Sequence, residues 1–411
     1  MRYKLKILYI TQYFYPEIGA TTNRALANVR YLASKGHDVT ILTEMPNHPK
    51  GIIFDGYKGK MFMTEAMENF KIKRVWVFTS IEKNFITRLL FYISFSFLGS
   101  FSTALNWKKY DIVYVTSPPL FVGSIGLFLK KIFRNAKFIF EVRDLWPDAA
   151  IEMGELSNIK FIKFSYKLEN SLYQNANHIV AVTQSFKDKI IKKGFSEDKI
   201  SVIRNGSDLS FKEVVVSNEL KNRFNASENF IVIYAGILGL AQNLRIIIDA
   251  AKKLENENVI VLLLGTGPKE NELKNYADQI NVKNLKFLGE IPTNEMSAYF
   301  SLANCGIIPL RNIEVFKSTI PSKLFDYMSA DLPILLGVTG EAASILNQSK
   351  AGITFEPDNS EDLAEKIIYL KTNPNLLLEM KTKGRQFVKH NYNRKNLAAK
   401  LEILLREINS S

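Results

Sequence analysis

Cysteine is almost absent from this sequence: its 411 residues contain one, Cys305. An intramolecular disulfide is therefore excluded, which fits a reducing compartment. Histidine is scarce too. His37, His48, His178 and His390 are widely spaced, and there is no C-x-x-C or H-E-x-x-H, so a zinc site has no support. Asp-x-Asp never occurs, which removes a common carboxylate clamp for a divalent metal. G-x-x-x-x-G-K-[ST] and G-x-S-x-G are missing as well, excluding P-loop NTPase and α/β-hydrolase readings. The start, MRYKLKILYITQYFYPE, is basic and then apolar, but Gln12 and Pro16-Glu17 leave too short a core for a secretory signal, so it reads as a first strand.

The longest uncharged stretch, Leu89 to Leu105, falls short of the roughly 20 residues that a membrane span needs. Ser96, Gly99, Ser100 and Thr103 share one helical stripe, Arg88 precedes the run, and Trp107, Lys108 and Lys109 follow it. It reads first as a buried core helix, second as an interfacial helix on anionic lipid, and last as a span.

The composition is that of a soluble globular protein, 46% hydrophobic and 23% charged, and 411 residues exceed what one core usually serves. The net charge of +13 is uneven. Residues 1 to 200 hold 29 Lys+Arg against 17 Asp+Glu, hence +12; the remaining 211 hold 25 against 24, hence +1. A basic half suits an anionic partner, although a basic surface kept for solubility accounts for charge alone equally well. No RNA-binding aromatic motif is present, which weighs against nucleic acid.

Strand and helix patterns alternate along the chain. Apolar runs at Lys6 to Ile10, Val39 to Leu42, Lys73 to Phe78, Ile112 to Val115, Phe138 to Val142, His178 to Val182 and Ile200 to Ile203 read as strands, and Asn23 to Ala33 reads as a helix. The alternation restarts at Phe230 to Tyr234 and continues through Val259 to Leu264, Leu285 to Phe287, Cys305 to Ile308, Pro333 to Leu336 and Gly352 to Phe355. Two doubly wound, Rossmann-like α/β domains follow, with the polar stretch Ser207 to Glu228 as the expected linker.

The candidate chemistry lies at the ends of these strands. FKSTIPSKLFDYMSADLPILLG, from Phe316 to Gly337, predicts a helix over Ser322 to Ala330 whose first turn carries Lys323, with Asp326 one turn on, a pair suited to phosphate and sugar hydroxyls. A capped surface helix with a local Lys and Asp is the plainer alternative. Small-residue loops follow strands at Gly19, at Gly236 and Gly239, and at Gly265; each lets backbone N–H groups approach a ligand at a helix N-terminus. Arg143-Asp144, in FEVRDLWPD, sits at a strand's carboxyl end, either facing a ligand or closing the strand as an ion pair.

Taken in order, YFYPEIGATTNRALANVRYLASKGHDVTILT, FEVRDLWPDAA, VIRNGSD, YAGILGLAQNL, LLLGTGP, FLGEIPTNEMSAYFSLANCGIIPL and PSKLFDYMSADLPILLG resemble the retaining nucleotide-sugar glycosyltransferases of glycosyltransferase family 4. RDLWP and PSKLFDYM look like the branch that includes bacterial L-fucosamine transferases of surface polysaccharide assembly. The resemblance implies the GT-B fold, two Rossmann-like domains facing across a cleft. Its boundaries are an acceptor domain over 1–212, a donor domain over 213–388, and a terminal helix over 389–411 packing back on the first domain. It implies donor binding by Gly19, Arg204, Asn205, Gly236, Gly239, Gly265, Gly289, Ser318, Lys323, Asp326 and Glu341, and acceptor binding by Arg24 and Asp144. Asp144 and Arg143 stand where the family has its catalytic His-Asp pair.

Two departures stand out. The family's two Glu eight residues apart are Ser318 and Asp326 here, and the Arg and Lys that neutralise the donor diphosphate are missing from Gly239-Leu240-Ala241-Gln242-Asn243. The diphosphate charge then falls to Gly239, helix N–H groups, Lys323, and Arg204 or Lys317. The expected activity is metal-independent, retaining transfer of a sugar, an N-acetylated amino sugar in this branch, from a UDP-sugar to a polyprenyl-diphosphate-linked saccharide. The setting would be O-antigen or capsule synthesis, in the cytoplasm at an anionic membrane surface. A UDP-sugar epimerase or phosphorylase of the same fold, or a basic membrane-peripheral protein without activity, are the alternatives.

Overall fold

A computed structural model describes residues 4–82, 84–104 and 110–410. Leu105, Trp107, Lys108 and Lys109, part of the apolar stretch and its basic flank, lie outside the described residues. The chain forms two units, the first holding residues up to Asn205 and those from Arg394 onward, the second Gly206–Asn393. The first unit thus closes before the expected boundary at 212, and the chain returns to it after 388.

In the first unit, β1 (Lys6–Ile10), α1 (Ala20–Ser34), β2 (Asp38–Glu44), β3 (Phe62–Met67), β4 (Phe70–Val75) and α2 (Phe85–Ala104) come first. They are followed by β5 (Ile112–Thr116), α3 (Gly123–Ile132), β6 (Lys137–Val142), α4 (Asp148–Glu152), α5 (Ile159–Asn175), β7 (His178–Ala181), α6 (Gln184–Lys192) and β8 (Ile200–Val202). The sheet order is β3-β4-β2-β1-β5-β6-β7-β8. All pairings are parallel except β3 with β4, a hairpin the sequence pattern does not announce. β5 is buried at every position and β6 at all but its first. Coverage of both sheet faces by helices explains why these strands read as unbroken apolar runs.

The second unit holds α7 (Asn218–Arg223), β9 (Phe230–Ala235), α8 (Arg245–Lys253), β10 (Val259–Leu264), α9 (Glu270–Gln279), β11 (Leu285–Gly289), α10 (Met296–Leu302) and β12 (Cys305–Pro309). It continues with α11 (Glu314–Lys317), α12 (Ser322–Ser329), β13 (Ile334–Gly337), α13 (Glu341–Ser349), β14 (Gly352–Thr354), α14 (Ser360–Thr372) and α15 (Pro374–Asn391). Its sheet, β11-β10-β9-β12-β13-β14, is parallel throughout. Both units are therefore the doubly wound Rossmann-like sheets that the alternation implies.

The final helix, α16 (Arg394–Ser410), belongs to the first unit. Leu397, Leu401, Leu405 and Ile408 repeat at helical spacing and join the core beside Val29 and Leu32 of α1. His37 and Glu402 close this contact at 3.3 Å.

Two expectations need correction. Ser207 to Glu228 is no free linker: Phe211 packs edge-on against Phe300 at 5.0 Å, the Val214 N–H donates to the Ser301 hydroxyl, and Ser207 bridges to Asn393, all inside the second unit. Nor is α2 a buried core helix. Only 17% of its most apolar window is buried. Phe95, Gly99 and Thr103 make its inner stripe, while Phe97 is 69% and Phe101 49% exposed.

Candidate functional site

In the second unit, β9, β10 and α12 converge on a pocket of about 230 Å³ at the carboxyl ends of the strands, where ligands of parallel sheets bind. Gly236, Gly265, Glu290, Phe300, Lys323 and Asp326 are among its lining residues. α12 begins at Ser322 because Pro321, fixed at φ −61° and ψ 131°, caps it in extended conformation and cannot itself extend a helix backwards. Lys323 then lies in the first turn, with its Nζ 5.0 Å from the centre of the Tyr234 ring. Burial pulls its ammonium down to about 8, against the opposing pull of Asp326. The surface-helix alternative therefore fails: Lys323 and Asp326 face a pocket.

The glycines act differently from the sequence expectation. The Gly236 N–H is bonded to the Leu264 carbonyl at 2.8 Å and the Gly265 N–H to the Gly289 carbonyl at 2.6 Å, so neither donor is available to a ligand. What they supply is room. A Cβ on Gly236, at φ +148°, would stand 2.4 Å from Lys323 Cε, and one on Gly265, at φ +122°, would stand 2.0 Å from the Gly236 carbonyl oxygen. Only glycine lets the two loops cross and lets the lysine lie across them. The Tyr234 hydroxyl, donating to the Ile237 carbonyl at 2.7 Å, holds the same loop.

Other expected donor residues lie elsewhere. Gly239 lines a second, smaller pocket of about 180 Å³ with Arg245, Lys269 and Arg311. Lys269 is paired there with Glu272, and Arg245 stacks 4.0 Å over Tyr276. Ser318, 4% exposed, ends α11 and does not reach the first pocket. Lys317 pairs with Glu314 at 2.7 Å, and Glu341 heads α13, where a carboxylate favours the helix N-terminus. Gly19 caps α1, and Arg204 and Asn205 follow β8, so these three belong to the first unit. Phe211, Glu290, Ile291, Met296, Phe300 and Tyr327 also line the first pocket, and the sequence reading does not single them out. The signal for Ile291 was present, since it directly follows the Gly289-Glu290 pair in FLGEIP.

In the first unit, the carboxyl ends of β5, β6 and β8 enclose a charge network. Glu141, fully buried, accepts from Arg24 Nε at 3.0 Å and Nη2 at 2.8 Å, from the Tyr114 hydroxyl at 2.6 Å and from Thr116 Oγ1 at 2.6 Å. Arg24 also donates to the carbonyls of Arg204 at 2.7 Å and Ile203 at 2.8 Å. Against burial, the Arg24 charge holds the Glu141 carboxyl below its usual value, and Glu141 in turn holds the guanidinium above its own. Arg24, expected at the acceptor, is instead consumed in tying α1 to the sheet.

Arg143 and Asp144, directly after β6, stand beside this network. Arg143 keeps a buried Nε with no hydrogen-bond partner, and burial lowers its pKa. Burial pushes the Asp144 carboxyl up to about 6, opposed by the Leu145 N–H and the Arg143 charge and reinforced by Glu155. A carboxylate so poised can accept from a sugar hydroxyl at neutral pH and loses that capacity in mild acid.

The Glycosyltransferase Family 4 model matches residues 22–211 and the Glycosyl transferases group 1 model residues 216–387. A protein provisionally described as a colanic acid biosynthesis glycosyl transferase, from Escherichia coli K12, is 23% identical over 96% of this chain and 98% of its own length. The O-antigen chain mannosyltransferase C of Escherichia coli is 25% identical over 55% of this chain and 61% of its own. Sucrose-phosphate synthase of Thermosynechococcus elongatus superposes with a TM-score of 0.74 at 15% identity, covering 99% of this chain and 100% of that one. Anabaena HepE in complex with UDP-glucose gives 0.71 at 15%, covering 98% and 100%. With one glycosyltransferase domain matched in each unit and the GT-B architecture in common with these structures, the chain is a GT-B glycosyltransferase of group 1 that carries a Family 4 domain.

Proposed function

We propose that this enzyme is a retaining, metal-independent transferase. It moves a sugar, an N-acetylated amino sugar by its resemblance to the L-fucosamine branch, from a UDP-sugar to a polyprenyl-diphosphate-linked saccharide in bacterial surface polysaccharide synthesis. The reading rests on the second-unit pocket, where an ammonium and a carboxylate from one helix face a space bounded by glycine loops. Lys323 would meet the diphosphate and Asp326 the ribose hydroxyls, a charge-assisted pairing. Electrostatic stabilisation of the departing phosphate, which itself assists the incoming hydroxyl on the same sugar face, would be the main catalytic contribution. Asp144 would bind the acceptor hydroxyl, with Arg143 holding charge beside it.

Relatives supply further support: HepE binds UDP and glucose, and the Escherichia coli relatives carry names from colanic acid and O-antigen synthesis. The basic residues 1 to 200 suit a cytoplasmic enzyme resting on the anionic inner face of the cell membrane. A panel of UDP-, GDP- and dTDP-sugars tests the donor by thermal shift, since a ligand of the native state raises the melting temperature by mass action. A UDP-sugar should give the largest rise. A GDP-sugar giving the largest rise would overturn the UDP assignment, and loss of the anomeric configuration in the product would overturn retention.

A further inference from the structure

The outward side of α2 is not a plain convex ridge. Between α2, α3 and α5 runs a groove of about 650 Å³, lined by Ile93, Phe97 and Phe101 of α2, Phe128 of α3, and Phe161 and Phe164 of α5. Ser96, Ser100 and Ala104 make it concave from one wall and Ser124 from the other. These serines ask nothing polar of an occupant. Ser96 donates to the Phe121 carbonyl at 2.8 Å, Ser100 to the Ser96 carbonyl at 2.7 Å and Ser124 to the Phe121 carbonyl at 2.7 Å. The groove is therefore apolar in effect as well as in composition, although Phe97, Phe128 and Phe164 are 69%, 41% and 53% exposed. Contiguous apolar surface of this kind on a soluble unit marks a place where something apolar binds.

By length and composition α2 could cross a membrane, but here its inner stripe packs within the first unit. A Cβ on Gly99 would lie 2.9 Å from Ile125 of α3 and 3.4 Å from Leu42 of β2, so this stripe is closely seated while the other side of α2 lines the groove.

Two observations identify the groove's occupant. One end of the groove meets the acceptor side of the site: Trp146, two residues after Asp144, packs at 5.7 Å on Phe121 and 6.2 Å on Phe161. Arg88 lies at that end of α2, paired with Glu155 at 2.9 Å, whose charge Asp144 feels. The other observation is charge. Lys160, Lys163 and Lys167 repeat at helical spacing on α5 alongside Phe161, Phe164 and Leu168, and all three are exposed. Cations thus border an apolar slot that begins beside a candidate acceptor carboxylate. From Leu89 to Ala104 the α2 wall is about 22 Å long at 1.5 Å per residue, the reach of an extended hydrocarbon chain rather than of a sugar.

We propose that this groove holds the hydrocarbon tail of the lipid-linked acceptor, with the diphosphate at the Trp146 end beside Arg88 and Arg143. The inference rests on the lipid-linked acceptor of the preceding section and adds the residues that recognise its lipid. The test is calorimetry on the full chain with geranylgeranyl diphosphate and inorganic diphosphate, for the wild type and for Ser100→Trp and Ser124→Phe, which fill the groove. UDP affinity and melting temperature report whether each variant is folded.

The wild type should bind the prenyl compound at least tenfold more tightly than inorganic diphosphate, and a folded groove-filling variant should bring the ratio below about threefold. Equal affinities in the wild type, or a ratio that survives filling, would overturn the proposal. Anionic vesicles supply the competing outcome: binding that depends on Lys160, Lys163 and Lys167 while the two soluble probes bind alike would assign this face to a bilayer surface instead. Lipid-linked saccharide glycosylated equally well by wild type and filled variants would sink the groove and leave the transferase reading standing. Groove-dependent prenyl binding without any sugar transfer to such an acceptor would sink the transferase reading and leave the groove.

Discussion

Two charged regions, one at the end of each sheet, show how similar residues come to different uses. Beside β6, Arg24 and Glu141 are buried and pair with each other, with two carbonyls and two hydroxyls as further partners. Beside β9 and β10, Lys323 and Asp326 share one helix face and line an open pocket. A charge whose partners all lie within the protein is architecture. A half-buried ammonium whose pKa is lowered by desolvation and which lines an open pocket is suited to meet an anion.

Removing one member of each region should therefore break different properties. Arg24→Ala leaves Glu141 buried without its cation, so stability should fall by about 3 to 5 kcal/mol in urea titration. The UDP affinity of the protein that remains folded should not change; a stability loss within error would show that the network is dispensable. Asp144→Asn should next lower kcat/KM about 10²-fold or more with the fold intact. If the Asp144 carboxylate accepts the acceptor hydroxyl, which its acid form cannot, wild-type kcat/KM should climb as pH rises through about 6. That limb should vanish in Asp144→Asn, and its persistence would move the titration to another group. Asp326→Ala should weaken UDP by about 1 to 3 kcal/mol in calorimetry while leaving melting nearly unchanged, the reverse of the Arg24 pattern. The smallest effect is a pH dependence: UDP affinity should decline as pH rises through about 8, where Lys323 loses its proton, and Lys323→Arg should flatten that decline.

Much of this was legible in the chain, for a physical reason. Runs such as Val259 to Leu264 are apolar throughout because helices cover both sheet faces, and that pattern specifies a parallel strand almost alone. Lys323 and Asp326 were legible because four residues of one helix fix their geometry locally. What stayed hidden depends on distant partners. Arg24 looks like any polar residue at a helix start until Glu141, 117 positions away, is folded against it. The N–H groups of Gly236 and Gly265 look available until β10 and β11 consume them.

Edges and faces misled in the same way. β3 alternates exposed and half-buried residues because it is the sheet's edge, a pattern too weak to announce a hairpin. The burial of α2 was misread because composition shows that a helix is apolar without showing what covers it. Phe211 was overlooked inside a polar stretch whose packing on Phe300 only the folded unit reveals. The basic residues missing from the loop after β9 have counterparts nearby, Arg245 and Arg311, but in a separate pocket with Gly239. Among the described residues, that leaves Lys323 as the cation of the first pocket's lining.

This last point carries the account, and calorimetry of UDP and uridine against wild type and Lys323→Ala tests it directly. Both ligands share the base and ribose, and only UDP carries the diphosphate. If Lys323 meets the diphosphate, the substitution should weaken UDP at least tenfold, about 1.4 kcal/mol, and leave uridine within about twofold. Equal losses for the two ligands, or an unchanged UDP affinity, would contradict it.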